Sequence, residues 1–277
     1  MRSEIHYGKS GVTAYRVGAD GAVFAARVSV DVLGDNFLPA YTEGDNSNVV
    51  ATDTMKNFVW AMAAQYAGAT QEGFAAFLAR RFIATWDQIG ALRVRCEEIP
   101  LPREGRILRS IGRSDRAVAV IECSRESGVI DVRSGREGLE LLKVTGSSFT
   151  HFVRDAYTTL PEIVDRPLSI GLDVHWRHSE VADALGESEA HVGADAARAF
   201  VCATFDEFNS RSIQHLVHEI GRRMLERFPS LAEVAFDAQN RTPDAAVPVK
   251  GDGMKVYTDA RPIFGNIGLV LRRDARG

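Results

Sequence analysis

Apolar and polar residues alternate along two segments near the start of the chain, at about residues 5–19 and 23–34. Alternation with a period of two is typical of a half-buried β-strand. A short turn, Gly18-Ala19-Asp20-Gly21, separates the two segments, and glycine-containing turns of this length join the strands of hairpins. The chain is therefore predicted to begin with a β-hairpin.

A helical period follows this alternation. Apolar residues recur at the i, i+3, i+4 and i+7 spacing of one helix face. The first such stripe comprises Met55, Phe58, Val59, Met62 and Tyr66. The second comprises Phe74, Phe77, Leu78, Phe82, Trp86 and Ile89, and Gly90 is its predicted end. Strands near 91–101 and 116–124 complete the order strand, strand, helix, helix, strand, strand.

The second half of the chain is predicted to repeat this order. Strand patterns lie at about 128–134, 138–147 and 168–176, and helical patterns at 192–206 and 208–228. The last helix has an apolar stripe of Ile213, Leu216, Val217, Ile220, Met224 and Phe228. Strands near 231–238 and 265–272 close the unit.

The repeated order predicts a duplicated α+β fold. A polar, glycine-containing segment at about 126–136 is the predicted division between the two copies. We accordingly expect a first domain at residues 1–130 and a second at residues 131–277.

Composition limits the function classes. The 277 residues are 45% hydrophobic and 25% charged, which suits a globular chain with a sizeable core. A formal net charge of -4 favours neither nucleic acid nor an anionic membrane as a partner, and no apolar run is long enough for a membrane span. The three cysteines, an odd number, suit a reducing compartment. Without a signal-peptide pattern, a cytoplasmic protein is expected.

The segment from Tyr41 to Asn57 combines turn formers, a brief β-branched run and a helix start. The run from Asn48 to Ala51 predicts a short strand. Thr52 is predicted at a helix N-terminus, where free N–H groups and the helix dipole favour an anionic or polarised ligand. The alternative is that Thr52 and Asp53 only cap the helix.

This segment, GDNSNVVATDTMKN, resembles the urate oxidase (uricase) family, whose pattern GDNS-x-VVATDT-x-KN it follows. Further matching segments lie in family order across most of the chain. They are Tyr7-Gly8-Lys9, LKVTGSSFTHFVRDAYTTLPE from Leu142, Asp165-Arg166 and Ser212-Ile213-Gln214. The resemblance implies two tandem tunnelling-fold domains, antiparallel sheets with helices on one face, and a homotetramer whose sheets close into a barrel. It also implies oxidation of urate or a closely related oxopurine by molecular oxygen, giving a 5-hydroxyisourate-type product and hydrogen peroxide.

The resemblance assigns acid–base chemistry to Lys9, which works through the hydroxyl of Thr52. A lysine acts as a base only where burial or neighbouring charges lower its pKa. The alternative for Lys9 is a solvated strand lysine. Asp53, next to Thr52, belongs to the expected substrate-binding residues.

The remaining substrate-binding residues also follow from the resemblance. Phe149 is expected to stack on the purine, Arg166 and Gln214 to pair with its lactam edge, and Ile213 to offer its backbone N–H. A guanidinium forms paired directional hydrogen bonds, and an aromatic ring stacks on a flat heterocycle. The alternatives are a core phenylalanine and a surface arginine. In the family, the lysine and threonine come from one subunit and these residues from its neighbour.

No cofactor or metal is expected. The chain has no glycine pattern for nucleotide phosphates and no histidine pair accompanied by ligands at metal spacing. An electron-rich substrate must then supply the electrons for oxygen itself.

One departure from the family stands out. The strand after the glutamine-bearing helix is expected to open with a Pro-Asn-x-His pattern, and here Ser230 and Ala232 take the asparagine and histidine places. Gln239 and Asn240 lie further along but match neither place. This departure leaves two alternatives open: an enzyme acting on another purine-like heterocycle in a specialised pathway, and a catalytically silent purine-binding protein or sensor.

Overall fold

The computed structural model of the chain describes residues 4–18, 21–105, 107–112, 115–246, 256–260 and 262–274. Contacts divide the chain into two compact units, and each unit is built from two stretches of chain. Unit 1 comprises Met1–Gly135 and Arg177–Ala194, and unit 2 comprises Arg136–Trp176 and Asp195–Gly277. The predicted domains, residues 1–130 and 131–277, are continuous segments and stay a prediction.

Unit 1 contains an antiparallel arrangement of strands bonded in chain order, β1 to β2, β2 to β3 and β3 to β4. Helices α2 and α3 pack against these strands. The elements are β1 His6–Val17, β2 Val23–Leu33, a 3-10 turn at Asp35–Phe37, α1 Leu38–Thr42, α2 Thr52–Gln65, α3 Gln71–Thr85, β3 Ala91–Glu98, β4 Arg116–Ser124 and α4 Val181–Ala184. The antiparallel pairing of the two predicted hairpin strands is confirmed, while Ala19 and Asp20 of the predicted turn lie outside the described residues. The predicted order of strands and long helices is also confirmed.

The core of unit 1 lies between the strands and these helices. Alternate residues of β2 face it, since Val28, Val30 and Val32 are all buried. The predicted helix stripes supply the facing layer, which comprises Met55, Val59 and Met62 of α2 and Phe74, Leu78 and Phe82 of α3. Burial of these apolar side chains is the main favourable term for folding.

Two local predictions for unit 1 are wrong. Residues 48–51 form no strand, and the chain there runs directly into α2. Helix α3 ends at Thr85 rather than at Gly90, because Trp86 already has extended backbone angles of φ -124° and ψ 107°. The spacing of apolar residues predicts which face of a helix is buried, but it does not specify the residue at which the helix ends.

Unit 2 contains strands bonded in the order β5, β6, β7, β8, and β7 and β8 are antiparallel. Helix α6 packs against β7 and β8. The elements are β5 Gly128–Lys143, β6 Leu168–His178, α5 Ala194–Glu207, α6 Ile213–Arg227, β7 Leu231–Asn240 and β8 Gly265–Arg272. The division between the units falls within β5 and near the end of β6. The α+β class is confirmed.

The sequence patterns predicted which face of α6 is buried, but they did not predict where every helix and strand of unit 2 begins and ends. The α6 stripe is buried from Ile213 to Met224, and Phe228 is half-buried. The two strands predicted at 128–134 and 138–147 form the single strand β5, which contains most of the polar segment at 126–136. Helix α6 begins at Ile213 rather than near 208, because the Ser212 side chain caps it. No helix in the described part of the chain combines the length and apolar character needed to cross a bilayer.

Candidate active site

Lys9 lies on β1 next to a close approach between that strand and β2. It pairs with Val30, and the register shifts between Lys9 and Val12, which marks a β-bulge. A Cβ atom at the preceding Gly8 would lie only 1.8 Å from the Val30 carbonyl oxygen. Glycine at position 8 is therefore required for this approach, and it sets the backbone position of Lys9.

Thr52 is the first residue of α2 and does not cap the helix. The N-cap residue is Ala51, which has no side-chain hydrogen bond, and the first helical bond runs from the Met55 amide to the Ala51 carbonyl oxygen at 3.1 Å. The capping alternative is therefore wrong for Thr52. Within the described residues the Thr52 hydroxyl has no hydrogen-bond partner, so it is free to act on a ligand at the positive end of the helix dipole.

Two hydrogen bonds join β1 to α2 and to the segment that precedes it. The Val50 amide donates to the Tyr7 hydroxyl at 3.1 Å, and the Trp60 indole N–H donates to the Thr13 carbonyl oxygen at 2.9 Å. The Val50 bond holds the segment before Thr52 against the strand that carries Lys9, and the Trp60 bond holds the middle of α2 against the same strand.

Asp53 lies within the electrostatic reach of Lys9. The exposed Asp53 carboxylate bonds to the Lys56 ammonium and accepts a 3.2 Å hydrogen bond from the Asn57 amide. Its pKa is lowered by Lys56 above all, and the Lys9 charge adds to this lowering. Unit 1 thus places Asp53, and with it the adjacent Thr52, near Lys9.

The second group of predicted residues lies in unit 2. Phe149 and Ile163 exchange backbone hydrogen bonds of 2.8 and 3.0 Å, and the Arg166 amide donates to the Ser147 carbonyl oxygen at 2.9 Å. This pairing sets the Arg166 guanidinium carbon 5.6 Å from the centroid of the Phe149 ring. Phe152 stacks on Phe149 with centroids 4.9 Å apart.

Arg166 is a buried cation with an unsatisfied hydrogen-bond donor, as expected of a ligand-binding side chain. Only 9% of the residue is exposed, and its buried Nε has no hydrogen-bond partner among the described residues. Desolvation lowers the pKa of the guanidinium. Buried polar groups in folded proteins are nearly always paired, so an exception calls for an explanation. Phe149 is only half-buried, and neither residue fits the alternatives of a core phenylalanine and a surface arginine.

The first backbone amides of helix α6, which follows these residues in the chain, donate no helical hydrogen bond. Ser212 is the N-cap, and its hydroxyl accepts a 3.1 Å hydrogen bond from the His215 amide. The first helical bond joins the Leu216 amide to the Ser212 carbonyl oxygen, so the amides of Ile213 and Gln214 have no helical partner. Gln214 is exposed and Ile213 is buried. Such a terminus favours an anionic ligand once other groups define the site.

Asn240 and Thr242 are candidate residues that the sequence analysis missed. They line a cleft of about 800 Å³ together with Arg166, Asp165 and Phe264. The Asn240 side-chain oxygen accepts hydrogen bonds from the Thr242 amide at 3.2 Å and the Thr242 hydroxyl at 2.6 Å. A polar pair at the end of a half-buried strand was the available signal.

Ser230 and Ala232 are not lining residues of this cleft in the described part of the chain. Ser230 immediately precedes β7 and Ala232 is its second residue, whereas Asn240 ends it. A strand rises about 3.3 Å per residue, so nearly 30 Å separates these ends. A ligand bound at Arg166 in this cleft is therefore out of reach of Ser230 and Ala232, so their assignment to the asparagine and histidine places is wrong.

The histidines of β6 are engaged within the fold. His175 shares a 3.0 Å hydrogen bond with Glu137, and His178 accepts one of 3.1 Å from the Val192 amide. Burial lowers the pKa of His178 to about 4. No three His, Cys, Asp or Glu side chains form a group that could hold a metal ion in the residues that the structure describes.

Comparison with known proteins identifies the family. A profile of the family described as uricase matches residues 5–103 and 132–261. The uricase of Haloferax volcanii is 41% identical over 271 residues, which cover 86% of this chain and 88% of that protein. The crystal structure of urate oxidase from Bacillus sp. TB-90 matches with a TM-score of 0.90 at 36% identity, covering 97% of this chain and 100% of that chain. A uricase from Bacillus fastidious matches with a TM-score of 0.91 at 34% identity, covering 98% and 94%. The chain therefore belongs to the uricase family.

Proposed function

We propose that this protein is an oxidoreductase that oxidises urate with molecular oxygen. One observation carries the proposal: Arg166 holds a buried, unpaired Nε beside the half-buried ring of Phe149. Family membership supports the same activity, since the uricase of Haloferax volcanii is 41% identical and the urate oxidase of Bacillus sp. TB-90 is 36% identical to this chain. One urate, one oxygen and one water then give a 5-hydroxyisourate-type product and hydrogen peroxide.

Urate is a flat, acidic heterocycle with a polar lactam edge, and unit 2 offers a matching set of groups. Phe149 provides a stacking face, while the Arg166 guanidinium and the Gln214 amide pair with the polar edge. The free Ile213 amide adds a donor at the N-terminus of α6. Aromatic, cationic and amide groups together select a planar anion rather than a phosphate or a sugar.

The residues of unit 1 supply proton transfer in this proposal. Lys9 removes a proton from the substrate through the Thr52 hydroxyl, which has no other partner among the described residues. The Asp53 carboxylate, held by Lys56, belongs to the same surface and contacts the substrate or its water. The deprotonated urate is electron-rich enough to reduce oxygen itself, and we propose that no metal, flavin or nicotinamide takes part.

We further propose a homotetramer whose sheets close into a barrel. One copy supplies Lys9 and Thr52, and its neighbour supplies Phe149, Arg166 and Gln214. Sedimentation velocity with activity measured across the same fractions tests this assembly. A tetramer that loses activity on dilution into monomers is expected, and an active monomer would contradict it.

A cytoplasmic location is also proposed. Cys96 and Cys123 are buried free thiols, and Cys202 is a partly exposed one. Cytosolic proteins keep thiols reduced, whereas secreted domains pair them.

The central experiment is an assay of the purified protein against a panel of oxopurines. Loss of the substrate's ultraviolet band and oxygen uptake are followed in parallel, and catalase is added at the end. We expect one oxygen consumed per urate, with half of it returned by catalase. Binding without consumption would indicate a silent purine-binding protein, and consumption of a different oxopurine alone would indicate a divergent enzyme. Either result would refute the proposal.

A further inference from the structure

A buried pair of serine hydroxyls joins the two segments that carry the substrate-binding groups of unit 2. The Ser210 hydroxyl donates to the Ser147 hydroxyl at 3.2 Å, and both residues are only 2% exposed. They lie 63 positions apart in the chain. Neither residue touches the ligand in the function proposed above, so the pair calls for a reason of its own.

Backbone hydrogen bonds flank this hydroxyl pair and form an isolated bridge between the two segments. The Ser148 amide donates to the Ser210 carbonyl oxygen at 2.9 Å, and the Ser210 amide donates to the Gly146 carbonyl oxygen at 3.2 Å. On the other side, the Ser147 carbonyl oxygen accepts from the Arg166 amide at 2.9 Å. Ser147 is thus the central residue between the Arg166 segment and the Ser210 segment.

Each segment leads to a proposed ligand group within a few residues. Phe149 is two residues after Ser147, and Arg166 is bonded to Ser147 directly. Ile213 and Gln214, at the start of α6, follow Ser210 by three and four residues. A displacement of one segment against the other therefore changes the distance between the guanidinium and the free amides of α6.

Asp165 strengthens the same junction from the Arg166 side. Its carboxylate accepts hydrogen bonds from the Thr145 hydroxyl at 2.9 Å and from the Gly146 amide at 2.8 Å. Asp165, which precedes Arg166 in the chain, is thus bonded to Thr145 and Gly146, which precede Ser147. Asp165 also lines the cleft. The edge of the junction at the cleft is therefore polar, whereas the serine pair at its centre is buried.

We propose that Ser147 and Ser210 are positioning residues, which set the spacing between Arg166 and the N-terminus of α6 for a planar anionic heterocycle. The inference rests on the proposed function and deepens it, because it says how unit 2 recognises its substrate. Preorganised groups bind a rigid planar ligand more tightly, since the cost of ordering them is met during folding.

The test uses Ser147→Ala, Ser210→Ala and the double variant in the full-length protein. Hydrogen exchange of peptides covering 145–149, 163–166 and 208–214 is measured without ligand, and affinity for an unreactive oxopurine analogue is measured by calorimetry. Thr204→Val is the matched control, because Thr204 is a buried hydroxyl residue of the same unit, 3% exposed, outside the junction.

Each single variant is expected to exchange faster in these peptides and to bind the analogue about tenfold more weakly, the effect of losing one buried hydrogen bond. The double variant is expected to lose no more than either single variant, since no hydroxyl is then left unpaired. The KM for urate should rise with kcat changed less than twofold, because proton transfer belongs to other residues. Thr204→Val should leave exchange and affinity unchanged.

Two different failures are distinguishable. A wild-type protein that neither binds nor consumes an oxopurine refutes the proposed function. Unchanged exchange at 163–166 and 208–214 in both serine variants, or faster exchange with unchanged affinity, refutes the positioning role.

Discussion

The Tyr7 hydroxyl accepts a 3.1 Å hydrogen bond from the backbone amide of Val50, 43 residues further along the chain. Tyr7 also contacts Phe37 edge to face, with ring centroids 5.0 Å apart. Burial raises the pKa of the phenol, so the ring remains neutral at physiological pH. This one bond links the strand that carries Lys9 to the segment that leads into Thr52.

Tyr7→Phe removes the acceptor and leaves the amide of buried Val50 unpaired. We expect the free energy of unfolding to fall by about 1–3 kcal/mol, the cost of a buried unsatisfied polar group, and turnover to fall with it. Urea unfolding and the urate assay measure the two effects. Tyr41→Phe is the control, because Tyr41 donates to the His6 carbonyl oxygen at 2.7 Å from an exposed position. Equal effects of both changes would contradict a special role for Tyr7.

Gly8→Ala places a methyl group where the Val30 carbonyl oxygen already lies, 1.8 Å away. The strands must separate or the bulge must shift, at a cost of about 1–3 kcal/mol or more, and Lys9 moves with them. We expect lower stability in urea together with lost turnover. The matched change is Gly90→Ala, since a Cβ there meets nothing within 4 Å. A stable and active Gly8→Ala protein would refute this account of the β1 bulge.

Lys9→Met tests the proposed base. Turnover of urate should fall by about 10²–10⁴-fold, the usual contribution of acid–base catalysis, while affinity for an unreactive oxopurine changes less than twofold. Stopped-flow turnover and calorimetry measure the two quantities. Lys56→Met removes a nearby positive charge that pairs with Asp53, and it should reduce turnover far less than Lys9→Met, because Asn57 still donates a hydrogen bond to Asp53. Comparable losses in both variants would indicate that local charge, and not a base, is what Lys9 supplies.

Arg166→Ala tests the proposed anion-binding group. A hydrogen bond to a charged group contributes about 1.5–3 kcal/mol, so we expect affinity for the analogue to fall by roughly ten- to a hundredfold. Arg154→Ala is the control, because Arg154 contacts the neighbouring ring of Phe152 at 5.4 Å and donates to the Leu160 carbonyl oxygen. Calorimetric affinity that is unchanged in Arg166→Ala would remove this guanidinium from the site.

Glu72→Gln tests a pH dependence of stability. Glu72 is 5% exposed, and burial raises the pKa of its carboxyl above the ordinary 4.5, against the opposing effects of Ser134 and, to a smaller extent, His191. The folded state then holds a proton that the unfolded state releases, so the stability from neutral Glu72 is fully present below pH 4.5 and is lost as pH rises through the raised pKa.

Relative to wild type, Glu72→Gln should therefore gain stability as pH increases from 4.5 toward 8. Urea unfolding across this range measures the difference, and Glu43→Gln, which removes an exposed carboxylate, is the control. A constant difference between wild type and Glu72→Gln would show that the carboxyl ionises alike in both states.

The sequence by itself determined the elements whose residues repeat with a regular period. Strands β4 at Arg116–Ser124 and β8 at Gly265–Arg272 lie where alternation predicted them, and the α2 and α6 stripes are the buried faces. Period two and period 3.6 are local properties, because one strand or helix turns its apolar side chains to one core. The resemblance to the uricase family was likewise available from local segments, and comparison with known proteins confirmed it.

Tertiary structure alone decided the features that depend on residues distant in the chain. Trp86 ends α3 early, residues 128–143 form one strand, and the far end of β7 rather than its start reaches the cleft. The burial of Arg166 and the pairing of Ser147 with Ser210 have no local signal. Desolvation and long-range hydrogen bonding arise only when separate segments pack together, and no single segment contains that information.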